Sequence, residues 1–303
     1  MITLGIVVAV FVLSNAYIIL RGRVRHGFGR AIVDHATLLA PFNLLFYLFS
    51  AVGRRNYLRV EELPGLATLR QHWPLVRAEA ERVFAEVLPA PVDPKYDLAF
   101  HSFMKKGWNR FYLCWYGKPL PSALRHAPES VRLLRDLPEV RGAMFALLPP
   151  GKTLGRHRDP YAGALRYHLG LATPNDDRCW IKVDGEPYSW RDGQDVLFDE
   201  TYIHEAANQT EQRRIILFAD VRRPLRPRFL EKIAYGVERL LLTQTASINT
   251  EEDRIGGLNT VFPAFWHFRR FMKRFKQKRR SLYLVWKYFA LSCLAGLAVW
   301  AAL

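Results

Sequence analysis

The chain has 303 residues, of which half are hydrophobic, and its formal net charge is +16. Most of the excess charge lies in two acid-free runs, 21–30 and 269–280, and no nucleic-acid-binding motif accompanies them, so we expect no nucleic-acid partner. The three cysteines show neither metal-ligand spacing nor a dense disulfide framework, which fits a reducing compartment.

The first predicted element is an apolar helix. Residues 2–20 contain no charge, and nineteen helical residues are long enough to cross a bilayer core of about 30 Å. Arginines follow this run instead of preceding it, which favours an uncleaved anchor over a signal peptide. We therefore predict a transmembrane helix at 1–21 whose C-terminal end faces the cytoplasm by the positive-inside rule.

A basic flank and a second apolar stretch occupy residues 22–56. The apolar part, 36–52, is shorter than the first run, contains Pro41 and Asn43, and has basic residues on both sides. These features favour an interfacial or re-entrant segment over a full crossing. A buried helix of the following domain is the alternative.

The C-terminal end has the same arrangement in reverse. A basic segment at 266–281 precedes an apolar run at 282–303 that is long enough to span a bilayer. We predict a second transmembrane helix there, because the basic segment favours the cytoplasmic side. The domain between the two anchors, residues 57–265, would then face the cytoplasm.

Within this domain the sequence changes from a helical to a strand pattern. Residues 74–87 have apolar side chains at helical spacing, and Pro74 suits a first helical turn. From Asp97 onward, short aromatic and β-branched runs alternate with Gly, Pro and Asp turn signals. This pattern is typical of a sandwich or jelly roll, so we predict a mainly β domain with flanking helices.

Candidate metal ligands lie beside the predicted strands. His157 and Asp159 are two residues apart, and His204 follows 45 residues after Asp159. Two imidazoles and one carboxylate form the facial set that binds ferrous iron and leaves positions open for co-substrate and oxygen. Each ligand is close to a predicted strand end, so the three can converge at a barrel mouth. A His-x-Asp pair alone also fits a surface histidine beside a solvated aspartate.

Three further polar residues fit a dicarboxylate site. Arg214 begins the strand after His204, and a guanidinium can hold a carboxylate through two parallel hydrogen bonds. By period-2 alternation Arg166 and His168 share one face of the strand at 164–173. A hydrogen-bonded core histidine would explain His168 alone, but a buried arginine beside it needs an anionic partner. We predict that this partner is the co-substrate.

These motifs resemble the aspartyl/asparaginyl β-hydroxylase family of iron(II)- and 2-oxoglutarate-dependent dioxygenases. The resemblance is carried by GRHRDPYAGALRYHLGL, WIKVDG and FDETYIHEAANQTEQRRIILFADV. It implies a double-stranded β-helix, the jelly roll of cupin-like proteins, in which the three ligands above bind iron. It also implies that Arg214 pairs with the distal carboxylate of 2-oxoglutarate, and that Arg166 and His168 line the same pocket.

More narrowly, APFNLLFYLFSA, FMKKGWNRFYLCWYG and the two basic-flanked apolar ends resemble the lipid A-modifying branch of the family in bacteria. That branch implies hydroxylation at C2 of a secondary fatty acyl chain of lipid A or a lipid A precursor, with O₂ and 2-oxoglutarate as co-substrates. The reaction would take place at the cytoplasmic face of the bacterial inner membrane, with membrane lipids as partners. The animal peptide hydroxylases of the family lack the carboxylate ligand, so Asp159 favours the bacterial branch.

Two other functions stay open, and the sequence indicates no oligomeric state. One is a peptidyl aspartyl/asparaginyl β-hydroxylase of the same chemistry, and the other is a non-catalytic membrane-bound cupin that senses a ligand. Lys105, Lys106 and Arg110, interleaved with Trp108 and Phe111, are candidates for contacts with a lipid headgroup. An amphipathic strand with a solvated basic face is the alternative for this segment.

Overall fold

Two antiparallel β-sheets form the centre of the protein, in a computed structural model that describes residues 2–32, 34–88, 93–94 and 97–283. The strands of the described residues are β1 (Tyr57–Leu58), β2 (Asn109–Trp115), β3 (Val140–Leu148), β4 (Thr153–His157), β5 (Ala164–Ala172), β6 (Cys179–Val183), β7 (Glu186–Ser189), β8 (Asp195–Phe198), β9 (His204–Asn208) and β10 (Arg214–Arg222).

The order of the strands identifies the architecture. The larger sheet has the order β1-β8-β5-β10-β3-β2 and the smaller sheet the order β4-β9-β6-β7, with every pairing antiparallel. From β3 to β10 the chain therefore passes repeatedly between the two sheets, which is the winding of a jelly roll. The predicted mainly β fold with a double-stranded β-helix is confirmed for the domain.

Helices cover the outside of this sandwich. Those of the described residues are α1 (Ile2–Leu20), α2 (Phe28–Ile32), α3 (Ala40–Leu48), α4 (Ala67–Gln71), α5 (Trp73–Arg82), α6 (His101–Met104), α7 (Pro121–His126), α8 (Pro128–Arg135), α9 (Phe229–Val237) and α10 (Gly257–Lys278). The predicted helix at 74–87 corresponds to α5 together with a π-helical turn at Val83–Val87. Pro74 lies in the first turn of α5, where its missing N–H leaves no hydrogen bond unmade.

The centre of the larger sheet brings polar residues into the space between the sheets. β5 and β10 are neighbours and are buried along nearly their whole length. Their register places Phe218 opposite His168 and Asp220 opposite Arg166. Because alternate residues of a strand share a face, Arg214 lies on the same side of β10 as Phe218 and Asp220. This face forms one wall of the candidate site.

No helix in the described part of the chain is long and apolar enough to cross a membrane. The predicted transmembrane helix at 1–21 is therefore wrong, and so is the predicted inner-membrane location with a cytoplasmic domain. α1 forms at the predicted place, but it packs on the domain through Ser14 and Ile18, which are both buried. Apolar length alone, the basis of the prediction, does not reveal how much of a helix the domain covers.

The other segments outside the domain differ in how much the structure describes of them. Of the second predicted transmembrane helix, 282–303, everything beyond Tyr283 lies outside the described residues. The basic segment 266–281 forms mainly the C-terminal part of α10. In the stretch 36–52, α3 buries Phe46 and Tyr47 on the domain. Its opposite side stays exposed, and the predicted boundaries of this segment stay a prediction.

A buried ion-pair cluster joins the N-terminal segment to the domain. The Asp199 carboxylate accepts a hydrogen bond from Arg21 Nη2 at 2.7 Å and lies 2.9 Å from Arg223 Nη2. Asp199 and Arg223 are fully buried. Burial alone would raise the pKa of Asp199, but the guanidiniums of Arg223 and Arg21 outweigh it and hold that pKa far below its usual value.

We expect Asp199→Asn to lower the free energy of unfolding by about 3 kcal/mol at neutral pH, because two buried guanidiniums lose their counter-charge. A carboxylate with a lowered folded-state pKa contributes stability above its unfolded pKa of about 3.9 and loses that contribution as the pH falls towards the folded pKa. Urea unfolding of both proteins between pH 7 and pH 3 measures this. The difference should be constant at higher pH and shrink below about pH 4; a difference that does not depend on pH would contradict the assignment.

Candidate metal and co-substrate site

The three predicted iron ligands meet at one end of the smaller sheet. His157 is the last residue of β4 and His204 the first of β9, and the two lie directly opposite each other in the β4–β9 pairing. Their ring centroids are 4.1 Å apart. Asp159 lies two residues beyond β4, and one ligand atom of each residue lies within 4.8 Å of the others. This spacing and this set of donors fit one small divalent cation such as iron(II).

Backbone contacts orient both imidazoles for metal binding. Nδ1 of His157 lies 2.9 Å from the carbonyl oxygen of Gly155, and Nδ1 of His204 lies 3.0 Å from that of Tyr202. A carbonyl oxygen only accepts, so in each ring Nδ1 is the protonated donor. Nε2 then keeps its lone pair for a metal. Fixing the tautomer through the second ring nitrogen is how proteins commonly orient histidine ligands.

The protonation states of the ligands also fit a cation. Burial lowers the pKa of His157, against the opposing effect of Asp159. Burial and the neighbouring His157 lower the pKa of His204 to about 3. Burial alone would raise the pKa of Asp159, but the Arg166 guanidinium outweighs it and lowers this pKa to about 2. At neutral pH the site therefore presents two neutral imidazoles and one carboxylate, the forms that bind metal ions.

Arg166 lies in this site but is held by acidic residues. Its Nη2 donates to Asp159 Oδ2 at 2.9 Å and also contacts the Glu200 carboxyl, while Nε donates to Asp220 Oδ1 at 2.8 Å. Tyr116 donates to the other oxygen of Asp220 at 2.8 Å. The buried guanidinium therefore has its anionic partners within the protein. Its position against Asp159 lets it orient the carboxylate ligand.

His168 and Arg214 are the other two predicted co-substrate residues, and both are buried with unused hydrogen-bonding atoms. Neither ring nitrogen of His168 and none of the three guanidinium nitrogens of Arg214 has a hydrogen-bond partner among the described residues. Burial, and then the charges of Arg166 and Arg214, lower the pKa of His168 well below its usual value, so the ring is neutral. Burial lowers the pKa of Arg214 to about 10, so the guanidinium stays charged at neutral pH.

A buried cation without an anionic partner is costly, so its presence indicates an absent ligand. The Arg214 guanidinium carbon lies 4.2 Å from the ring centroid of Trp190 and 5.1 Å from that of Trp108, contacts that offset only part of this cost. A carboxylate group is the partner whose two oxygens match the geometry of a guanidinium. The chemistry of these residues therefore fits a dicarboxylate such as 2-oxoglutarate.

One cavity joins the metal ligands to Arg166, His168 and Arg214. Apart from these polar groups its lining is mainly aromatic and aliphatic, with Phe100, Phe103, Leu154, Ile181 and Ala206 among the lining residues. The volume of this cavity is about 30 Å³. The metal position and the candidate co-substrate position are therefore parts of one continuous site.

The cavity meets solvent on the side of two ligands. The side chains of His157 and Asp159 are 18% and 21% exposed, whereas His204, His168 and Arg214 are buried. The metal position is therefore closest to solvent on the side of His157 and Asp159, and Arg214 lies in the buried part of the cavity.

Of the three candidates for headgroup contacts, Lys106 lies near the ligand strand β4. Lys105 and Lys106 are exposed, and Lys106 Nζ lies beside Gly155 of β4, two residues before His157. Arg110 is buried, pairs with Asp97 at 2.8 Å and donates to Ser247. Its predicted role as a headgroup contact is thus wrong, because its guanidinium is used to join β2 to neighbouring loops.

Sequence reasoning missed Glu200, Asp220 and Tyr116. One signal was available for Asp220, which falls on the same alternating face of its strand as Arg214. Its pairing with Arg166 depends on β5 and β10 being neighbours, which follows from the topology. Glu200 precedes the His204 ligand by four residues, but nothing in the local sequence shows that its carboxyl points inward.

Comparisons with known proteins identify the family of this chain. Residues 70–224 match the family model described as aspartyl/asparaginyl beta-hydroxylase. The chain is 35% identical over 181 residues to the ornithine lipid ester-linked acyl 2-hydroxylase of Rhizobium tropici, an alignment that covers 59% of this chain and 64% of that protein. It is 30% identical over 165 residues to human aspartyl/asparaginyl beta-hydroxylase, covering 52% of this chain and 21% of the human protein.

Among solved structures, a Pseudomonas putida prolyl-4-hydroxylase matches with a TM-score of 0.33 and 20% sequence identity, over 51% of this chain and 88% of that one. The chain spans less than two thirds of the length of the bacterial relative and about one fifth of the length of the human one. The matched region contains both sheets apart from β1, and all six candidate site residues fall within it.

Proposed function

We propose that this chain, which belongs to the aspartyl/asparaginyl β-hydroxylase family, is a hydroxylase that uses iron(II) and 2-oxoglutarate to hydroxylate C2 of a fatty acyl chain of lipid A or a related membrane lipid. The observation that carries the proposal is the convergence in one cavity of a His–Asp–His set with a buried arginine that has no anionic partner among the described residues.

The residues of the cavity have separate roles in this proposal. His157, Asp159 and His204 would hold iron(II), which when bound supplies the activation of O₂ that oxidative decarboxylation of 2-oxoglutarate and hydroxylation require. Arg214 pairs with the distal carboxylate of 2-oxoglutarate through two hydrogen bonds. Neutral His168, beside it in the cavity, has both ring nitrogens free for hydrogen bonds to the co-substrate.

Arg166 acts on the ligand set and not on the distal carboxylate. Its hydrogen bond to Asp159 Oδ2 fixes that carboxylate and leaves Oδ1 on the side of His157, 3.9 Å from Nε2. The aromatic lining of the cavity excludes water from the reacting groups, which strengthens the charge interactions there. An apolar lining also suits the methylene group next to an acyl carbonyl.

Two observations support a lipid as the substrate. The Rhizobium tropici relative is named for acyl 2-hydroxylation of an ornithine lipid. α10 exposes more than half of the side-chain surface of Phe265, Phe268 and Phe271. The same helix carries six Arg or Lys residues between 269 and 278 and no acid there, a pattern typical of helices that contact anionic lipids.

Turnover of 2-oxoglutarate tests the proposal directly. Succinate formation by the full-length protein with iron(II) should rise several-fold when lipid A or ornithine lipid in detergent is added. A peptide that contains aspartate and asparagine residues should leave the rate at the level without substrate. Stimulation by the peptide and not by either lipid would favour a peptidyl hydroxylase, and absence of turnover under every condition would contradict the proposed chemistry.

A further inference from the structure

The N-terminal segment, residues 18–32 with Asp34, contacts both parts of the chain that carry the metal ligands, although it lies outside the family-matched residues 70–224. One part is the end of β4 with His157 and Asp159, and the other is the loop from Asp199 to His204. The contacts are hydrogen bonds and ion pairs made largely by buried groups.

Arg158 makes the first contact. It stands between two ligands in the sequence, and its side chain, only 4% exposed, is absent from the cavity lining. Its Nη1 donates to the carbonyl oxygen of Ile18 at 2.6 Å, and its Nε lies 3.4 Å from Asp34 Oδ2. Arg30 adds a hydrogen bond from its guanidinium to the carbonyl oxygen of Arg156. Through Arg158 and Arg30, the N-terminal segment is thus bonded to the end of β4.

Arg21 makes the second contact, at the turn that begins the other ligand loop. Its guanidinium donates to Thr201 Oγ1 at 2.6 Å and to Asp199 Oδ2 at 2.7 Å. Between these two partners, the carbonyl oxygen of Glu200 accepts a hydrogen bond from the backbone N–H of Asp159 at 3.0 Å. The turn that Arg21 fixes is therefore bonded directly to the backbone of the carboxylate ligand.

A tight turn at Gly22 makes the third contact. The backbone N–H groups of Arg23 and Val24 donate to the Asp184 carboxylate at 2.7 and 2.8 Å. Gly22 has a φ of +86°, and a Cβ there would lie 2.7 Å from Asp184 Oδ1, so this approach requires glycine. The backbone N–H of Asp184 in turn donates to the carbonyl oxygen of Ile203, the residue before His204.

We propose that this N-terminal segment, residues 18–32 with Asp34, positions the metal ligands, and that Arg21 and Arg158 are the positioning residues. The affinity for metal then depends on the docking of this N-terminal segment. The inference rests on the proposed function for the existence of the metal centre. Groups that orient metal ligands from outside the coordination shell commonly change metal affinity by about 10- to 100-fold when they are removed.

Titration of Co(II) into the metal-free full-length protein, followed by calorimetry, tests the inference without any assay of turnover. Arg21→Gln and Arg158→Gln should each raise the Co(II) dissociation constant by about tenfold or more. Arg21→Lys keeps a positive charge next to Asp199 and should restore part of the affinity. The unfolding midpoint of each variant, measured in parallel, separates a change in metal affinity from general loss of the fold.

Arg23→Gln is the matched control. The Arg23 side chain is 76% exposed and its Nε lies 3.8 Å from Asp184, whereas the short bond to Asp184, at 2.7 Å, is made by the backbone N–H, so this variant should bind Co(II) like the wild type. Folded Arg21→Gln and Arg158→Gln proteins with wild-type affinity would overturn the inference. If Arg21→Gln does not fold, the Co(II) dissociation constant of Arg158→Gln alone tests the inference. A wild-type protein that binds no Co(II) contradicts the proposed function itself, and the inference with it.

Discussion

Replacing Arg214 by methionine should remove turnover that depends on 2-oxoglutarate and at the same time raise the stability of the protein. The wild-type guanidinium is buried and charged, and it has no hydrogen-bond partner among the described residues. A methionine of similar length takes this buried charge away, which we expect to raise the free energy of unfolding by about 1–3 kcal/mol. Urea unfolding measures the gain, and succinate formation at increasing 2-oxoglutarate concentrations measures the loss.

Arg213→Met is the control for this change, because Arg213 precedes Arg214 and is exposed. It should leave both the stability and the KM for 2-oxoglutarate close to those of the wild type. 2-Oxoglutarate with Mn(II) should raise the thermal unfolding midpoint of the wild type and of Arg213→Met but not that of Arg214→Met. An Arg214→Met protein that is less stable than the wild type and keeps its KM would identify Arg214 as a structural residue.

Asp159→Ala and His204→Ala should each reduce hydroxylation to the background level and abolish tight Co(II) binding, while the protein stays folded. Each change removes one of three ligands of the facial set. The fold tolerates Asp159→Ala because Arg166 keeps Asp220 and Glu200 as partners. The circular dichroism spectrum, the Co(II) absorption spectrum and the rate of succinate formation measure the three expectations.

His72→Ala is the control for loss of a histidine, because His72 is exposed and lies on the turn between α4 and α5. It should match the wild type in all three measurements. An Asp159→Ala protein with wild-type Co(II) affinity would show that the carboxylate is not a ligand. The site would then be a two-histidine centre, and the hydrogen bond from Arg166 to Asp159 would not serve to orient a metal ligand.

The local sequence pattern was enough to predict a sandwich or jelly roll, and the family resemblance narrowed this to a double-stranded β-helix. Strand alternation placed Arg166 and His168 on one face of β5, and the structure places both in the cavity. Strand ends beside His157 and His204 predicted convergence, and these residues are cross-strand neighbours. Such patterns are readable because they depend only on the period of a strand and on the positions of turns.

What depends on the tertiary fold could not be predicted. Arg166 was expected to meet the co-substrate, yet Asp220 and Glu200 reach it from another strand and from a loop. The apolar run at 2–20 predicted a transmembrane helix, whereas Ser14 and Ile18 of α1 pack on the domain. In each case the residues that make the contact are distant in sequence. The charge of Arg166 and the apolar length of α1 therefore gave no information about what each of them contacts.

Mass spectrometry of the lipid product is the most direct test of the central claim. The full-length protein is incubated with iron(II), 2-oxoglutarate, ¹⁸O₂ and lipid A or ornithine lipid, and the acyl chains are released and fragmented. We expect one labelled oxygen atom at C2 of an acyl chain, and none when 2-oxoglutarate is omitted or when Arg214→Met replaces the wild type. Acyl chains of unchanged mass in both lipids, formed while the same protein turns over 2-oxoglutarate with a peptide, would contradict the account.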